Sequence, residues 1–130
     1  MVRAARTAVD PELNSLTERV IGAIFEVSNT LGTGFLEKVY ERALLFELGL
    51  RHIRAVPQAP LSIKYKDHPV GDYLADMLVE GVLAVELKCV ERFAEEHVAP
   101  CINYLRASGL ALCLLVNFQR PKVELKRIAL

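Results

Sequence analysis

Asp76, Glu86 and Lys88 are charged residues in or beside a nearly continuous apolar stretch, Val79-Glu80-Gly81-Val82-Leu83-Ala84-Val85-Glu86-Leu87-Lys88. A run of this kind reads as sheet buried on both faces. A charge inside it is costly unless it is paired or bound to a metal. The chemistry on offer is therefore an ion pair, or a cation held by carboxylates. Residues two apart in a strand share a face, so Glu86 and Lys88 point the same way. Asp76 joins them only through a hairpin of the right length. A two-residue Glu80-Gly81 loop sets Asp76 against Val85 and turns its carboxylate away from Glu86. A three-residue loop, Glu80-Gly81-Val82, sets Asp76 opposite Glu86, and directly opposite residues share a face. Such loops commonly hold a left-handed residue, which Gly81 supplies without strain. That register, or a bulge of equivalent effect, is the expectation. It brings two carboxylates and an ammonium onto one patch.

The elements that must position this patch follow from periodicity. Residues 1–12 read as a short N-terminal tail, and residues 13–130 as one domain. Asn14 or Ser15 is the expected cap of a first helix, with Glu18 close behind. Leu16, Val20, Ile24, Val27 and Leu31 recur at helical spacing, and Gly32-Thr33-Gly34 ends the run. A second helix spans about Leu36 to Leu48, with Val39, Ala43, Leu44 and Leu48 inward and Gly49 as its C-terminal cap. Pro57 and Pro60 then punctuate the chain. Leu61 to Tyr65 alternates apolar and polar like a half-exposed strand. Lys66-Asp67-His68-Pro69 reads as a turn, and Val70–Val79 and Val82–Lys88 as strands. A helix follows from Glu95 to Ala107, with Val98, Ile102 and Leu105 inward. Leu110 to Phe118 is a buried strand, and Val123 to Leu130 closes a sheet edge. The order is helix, helix, three strands, helix, strand, strand. An α/β fold with a mixed sheet and helices on both faces fits it best.

Composition bounds the rest. The 130 residues suffice for one real core, and 52% hydrophobic with 25% charged residues argues against disorder. Sixteen basic residues balance sixteen acidic ones. Nonspecific nucleic-acid binding as the main work would call for a basic excess, so such binding must rest on a local patch or a metal. Cys89, Cys101 and Cys113 are odd in number and lack metal-ligand spacing, which suits buried thiols in a reducing compartment. No run spans a membrane and no signal-peptide pattern opens the chain, so the cytoplasm is the default.

Several short motifs now fall into order. Gly34-Phe35-Leu36-Glu37-Lys38-Val39-Tyr40 fits the pattern GxxExxY. It is followed by Asp76, by Val85-Glu86-Leu87-Lys88, by Asn103-Tyr104-Leu105-Arg106 and by Leu115-Val116-Asn117-Phe118. Together, from about Leu16 to Ile128, these resemble the small GxxExxY proteins of the PD-(D/E)XK nuclease superfamily. The resemblance implies a restriction-endonuclease-like core, α-β-β-β-α-β. It implies that Asp76 and Glu86 hold a divalent cation, that Lys88 orients the attacking water, and that Glu37 completes the site. One position departs: where the family usually carries Gln ahead of the Asn-Tyr-Leu segment, this chain has Ala99-Pro100-Cys101-Ile102. Pro100 could also move the start of that helix towards itself.

The residue types suit the implied chemistry. Phosphodiester hydrolysis needs a placed water and neutralised phosphoryl oxygens, and a carboxylate-held cation supplies both. Mg2+, or Mn2+ in its place, takes oxygen ligands and keeps several waters. Asp76, Glu86 and the Leu87 carbonyl would then suffice. A lysine loses pKa on burial, which would let Lys88 act near neutrality. Beside this stands the plain alternative of a surface ion pair. Glu37 could equally stabilise a helix N-terminus. Tyr40 could pack in the core with its hydroxyl tied to a neighbour. His97 could face the site or be structural. Cys89, beside Lys88, could have a lowered pKa. Arg120, Lys122, Lys126 and Arg127 form a modest positive cluster that could meet a nucleic-acid backbone.

Two functions follow for test. One is a metal-dependent nuclease acting on DNA or RNA, for which a homodimer could serve a duplex and the final strand is a pairing edge. The other is an inactive nuclease-fold module that binds nucleic acid or a protein partner. Hydrolysis of a sugar substrate finds no aromatic cluster to support it, and the chain has no Trp.

Overall fold

The computed structural model describes residues 10–130. Residues 1–9 of the expected tail lie outside the described residues, but Asp10, Pro11 and Glu12 open the first helix, α1 (Pro11–Leu31). The Asp10 carboxylate accepts from the backbone N–H groups of Glu12 and Leu13, both at 3.1 Å. Pro11 takes a first helical position, where a missing N–H is harmless. The expected caps Asn14 and Ser15 therefore fall inside the helix, about a turn late. Leu13, Leu16, Val20, Ala23, Ile24 and Val27 line its buried side.

Helix α1 ends at Gly32, and the reversal runs through Gly32 (φ +71°) and Gly34 (φ +105°), a region that suits glycine. The second helix, α2 (Glu37–Leu50), buries Tyr40, Glu41, Leu44 and Leu48. The expected inward residue Val39 stays exposed. Tyr40 causes this shift. Its hydroxyl donates to the Gly32 carbonyl at 2.6 Å and accepts from the Phe35 N–H at 3.3 Å. Its ring stacks on Phe118 with 4.7 Å between centroids. Gly49 lies within α2, and the cap falls at Arg51.

The remaining elements are β1 (Ala55–Tyr65), β2 (His68–Val79), β3 (Leu83–Lys88), α3 (Glu95–Ser108), β4 (Leu112–Asn117) and β5 (Glu124–Ile128). They form a five-stranded sheet in chain order. All neighbours are antiparallel except β3 and β4, which run parallel. A parallel pair needs a crossover, and α3 supplies it. Strand β1 starts six residues earlier than expected and carries both Pro57 and Pro60. It is an edge strand, where a missing N–H need not break the ladder. The β1–β2 turn shrinks to Lys66-Asp67, both left-handed at φ +50° and +66°, so His68 and Pro69 join β2. Helix α3 keeps its expected start at Glu95 despite Pro100.

Two apolar layers cover the sheet. On one face, α1 and α2 pack on Met77, Val79, Leu83, Val85, Leu87, Leu112, Leu114 and Val116. On the other, Cys101, Tyr104 and Leu105 of α3 pack on Ala75, Ala84, Cys113 and Leu115. The architecture is α/β, a mixed sheet with helices on both faces. Among the described residues, no helix is long and apolar enough to cross a membrane.

Candidate active site

The β2–β3 hairpin has the expected register. Val79 pairs with Leu83 and Met77 with Val85, so the loop is Glu80-Gly81-Val82. Val82 N–H closes it on the Val79 carbonyl at 3.0 Å. Both Glu80 (φ +50°) and Gly81 (φ +70°) are left-handed. Glu80 is held there by Arg54, whose backbone N–H donates to its carboxylate at 2.8 Å. One step beyond Met77↔Val85, this register sets Asp76 opposite Glu86.

At that step the backbone ladder stops and side chains replace it. The Asp76 N–H donates to Glu86 Oε2 at 2.7 Å, and the Leu87 N–H donates to Asp76 Oδ2 at 2.8 Å. Each carboxylate thus caps the other residue's strand with one oxygen. Among the described residues, the second oxygen of each accepts no hydrogen bond. The two acids sit half-buried, and burial is the largest cause of the rise in both pKa values. Glu86 is pushed up to about 7, by desolvation first and by the Asp76 charge second. The Asp76 N–H and Lys88 oppose that rise. For Asp76, the Leu87 N–H and then Lys88 pull downward.

Glu37, the first residue of α2, reaches the same place. Partial desolvation raises its carboxyl, Lys88 lowers it, and the Asp76 charge raises it again. Lys88 ends β3, and its charge acts on all three acids. Among the described residues it has no carboxylate within 4.0 Å, so it is a shared countercharge rather than one partner's ion pair. Leu87 buries its side chain in the core and gives its N–H to Asp76. Glu37, Asp76, Glu86 and Lys88, the positions expected from sequence, therefore lie near enough for their charges to act on one another around the open end of the β2–β3 pair.

The loop leaving β3 is fixed by Asn117, which is fully buried. Its Oδ1 accepts from Val90 and Gln119, and its Nδ2 donates to the Val90 carbonyl at 2.7 Å and to Glu124. Two residues beside these, Glu41 and Gln58, carry no chemical reading in the sequence. Glu41, one turn after Glu37, is buried and accepts from Lys38 at 3.2 Å and from Gln58 at 3.1 Å. The i,i+4 spacing of Glu37 and Glu41 was the available signal. Gln58 had none, because its place depends on the twist of the β1–β2 ribbon.

Other candidates resolve differently. His97 accepts from the Ala94 N–H at 2.9 Å through Nδ1 and closes the start of α3, a structural task. Burial and Glu37 push the Cys89 thiol up, the reverse of the lowering that adjacent Lys88 suggested. Arg120 donates to the Glu91 carbonyl and Arg127 to Glu18 at 2.8 Å, so half of the C-terminal basic cluster is engaged.

The donor set suits a hydrated hard cation. Asp76 and Glu86 each offer, among the described residues, an oxygen that accepts no hydrogen bond. Among the described residues, no three His, Cys, Asp or Glu side chains form a ready cage. Magnesium binds through one or two carboxylates while keeping water, and needs no cage. No curated protein and no solved structure matches this chain. A family model, described as the PD-(D/E)XK nuclease superfamily, matches residues 14–128. That span takes in Glu37, Asp76, Glu86, Lys88 and the whole sheet that gathers them, and the chain belongs to the PD-(D/E)XK nuclease superfamily, with its restriction-endonuclease-like fold.

Proposed function

We propose that this nuclease-like domain is a metal-dependent phosphodiesterase of the GxxExxY group, acting on DNA or RNA in the cytoplasm. The observation that carries the reading is the reciprocal capping of Asp76 and Glu86 where the β2–β3 ladder ends. Asp76 and Glu86 would hold Mg2+ or Mn2+, with the Leu87 carbonyl as a backbone donor beside them. When bound, the cation supplies charge neutralisation at the phosphoryl oxygens and a more acidic water. Among the described residues no carboxylate lies within 4.0 Å of Lys88, so its ammonium would be available to orient that water and to face a phosphate. Glu37, at the start of α2, would be the third acid and would accept a proton or order a second water. A second copy of the chain, paired along the β5 edge, would let two sites address a duplex.

Calorimetric titration of Mg2+ and Mn2+ tests this on wild type, Asp76→Ala and Glu86→Ala. Binding in wild type and its loss in both variants supports the reading. Absence of binding by folded wild type sinks it. Lys88→Met should leave cation binding intact and cut cleavage of single- and double-stranded DNA and RNA by roughly 10²-fold or more. A second reading draws on Pro100, which stands where the family carries Gln: the domain binds a cation and nucleic acid without cutting. Cation binding with no cleavage of any of these substrates would select it.

A further inference from the structure

Gln58 has a backbone that does not belong in a strand. Its φ is +51°, between Pro57 and Ala59 in the middle of β1. Pro57 pairs with Met77 and Ala59 with Ala75, so Gln58 stands against Asp76. The β1–β2 ribbon also changes face at this point. Met77 joins the core under α1 and α2, while Ala75 joins the core under α3. A left-handed non-glycine residue persists only where its surroundings over-determine it. Here the determinant is visible. Gln58 Nε2 donates to Glu41 Oε1 at 3.1 Å, and Lys38 takes the other oxygen at 3.2 Å, so this buried carboxylate is fully engaged. Glu41 sits four residues after Glu37 on α2, and its charge acts on both Glu37 and Asp76.

We propose that Gln58 is a positioning residue: its amide, anchored on Glu41, ties α2 to the β1–β2 ribbon where Asp76 leaves the ladder, and so fixes Glu37 relative to Asp76. The inference rests on the reading of Asp76 and Glu86 as cation ligands, but its test does not. Gln58→Gly relieves the backbone strain and removes the anchor together. The thermal midpoint of this variant should be unchanged or higher. The Leu87 and Asp76 amides, held by the two carboxylates, should exchange with deuterium faster in the metal-free protein, while the Val116 amide in β4 keeps its wild-type rate. Mg2+ affinity should fall roughly tenfold or more, as for other outer residues that orient ligands. Q58E faces Glu41 with a second carboxylate and should show the same changes more strongly. Adding E41Q to Q58E restores the hydrogen bond with donor and acceptor exchanged and should recover the amide protection. Unchanged Leu87 and Asp76 exchange in Gln58→Gly overturns the proposal. Failure of wild type to bind a cation instead overturns the nuclease reading, and the exchange rates still decide the role of Gln58.

Discussion

Between β3 and β4 the sheet is a complete parallel ladder of six pairs, Leu83↔Leu112 to Lys88↔Asn117, and every residue of β4 is buried. Between β2 and β3 only three pairs form, and the ladder halts at Met77↔Val85. Beyond that point two carboxylates take over the backbone N–H groups of Asp76 and Leu87. The same strand, β3, belongs to both regions. Its odd-numbered residues Leu83, Val85 and Leu87 are core, and its even-numbered end carries Glu86 and Lys88. A polar site can be set into an apolar sheet where a ladder ends. The ladder satisfies backbone groups without side chains, so its interior can be wholly apolar. Where strands diverge, backbone groups need side-chain partners, and acidic residues become structural and available for chemistry at once.

Opposite signs of mutational effect should separate the two regions. Leu114 is fully buried in the laddered part. Leu114→Ala is expected to destabilise the fold by about 2–5 kcal/mol through lost burial and a residual cavity. Urea unfolding measures it, and the variant's cation affinity, taken while it is still folded, should stay near wild type. A loss below about 1 kcal/mol would mean that the centre of the sheet is not close-packed.

The split part should respond in the other direction. The folded pKa of Glu86, about 7, lies above its ordinary value of 4.5. Between these pH values the folded state holds more protons than the unfolded state, so metal-free stability falls as pH rises through this window. The contribution is fully present below 4.5 and lost above 7, and amounts to about 3 kcal/mol at most. Asp76 and Glu37, also raised, act in the same direction. Glu86→Gln keeps an oxygen for the Asp76 N–H and removes the charge. It should therefore stabilise the metal-free protein at pH 8 and leave it little changed at pH 4. Saturating Mg2+ should raise the wild-type melting temperature at pH 8 and have far less effect on this variant. A wild-type profile that rises from pH 5 to 8 would break the contrast.

The laddered region and most of the site were legible in the sequence for the same reason. Period-two patterning and a loop length fix register, and register alone places Asp76 against Glu86. The lone charges in an apolar run then named themselves. What stayed hidden depended on long-range geometry. Gln58 looks like any polar residue of a proline-punctuated connection until β1 extends through it and its amide meets Glu41. Val39 and Tyr40 are adjacent candidates for one buried position, and only the contact with Phe118, 78 residues away in sequence, decides between them. The start of α1 differs for a simpler reason: Asp10-Pro11 is the cap signal, and it lies inside the stretch whose composition resembles a tail.

Tyr40 connects the two regions and gives the smallest of these effects. Its ring stacks on Phe118, which follows β4 directly, and its hydroxyl holds the turn that launches α2 and Glu37. Tyr40→Phe keeps the stack and deletes both hydrogen bonds, leaving the Gly32 carbonyl and the Phe35 N–H to water. The expected loss is about 1–2 kcal/mol by urea unfolding, with an unchanged dependence on denaturant. The laddered core should not notice the change, because no β4 contact is removed. The turn should, so amide exchange ought to quicken at Phe35 and at Val39, whose N–H closes on the Leu36 carbonyl, and not at Leu114. Faster exchange at Leu114 as well would mean that the hydroxyl supports the core itself, and that the α1–α2 turn and the ladder melt as one unit rather than as a rigid centre with a separable edge.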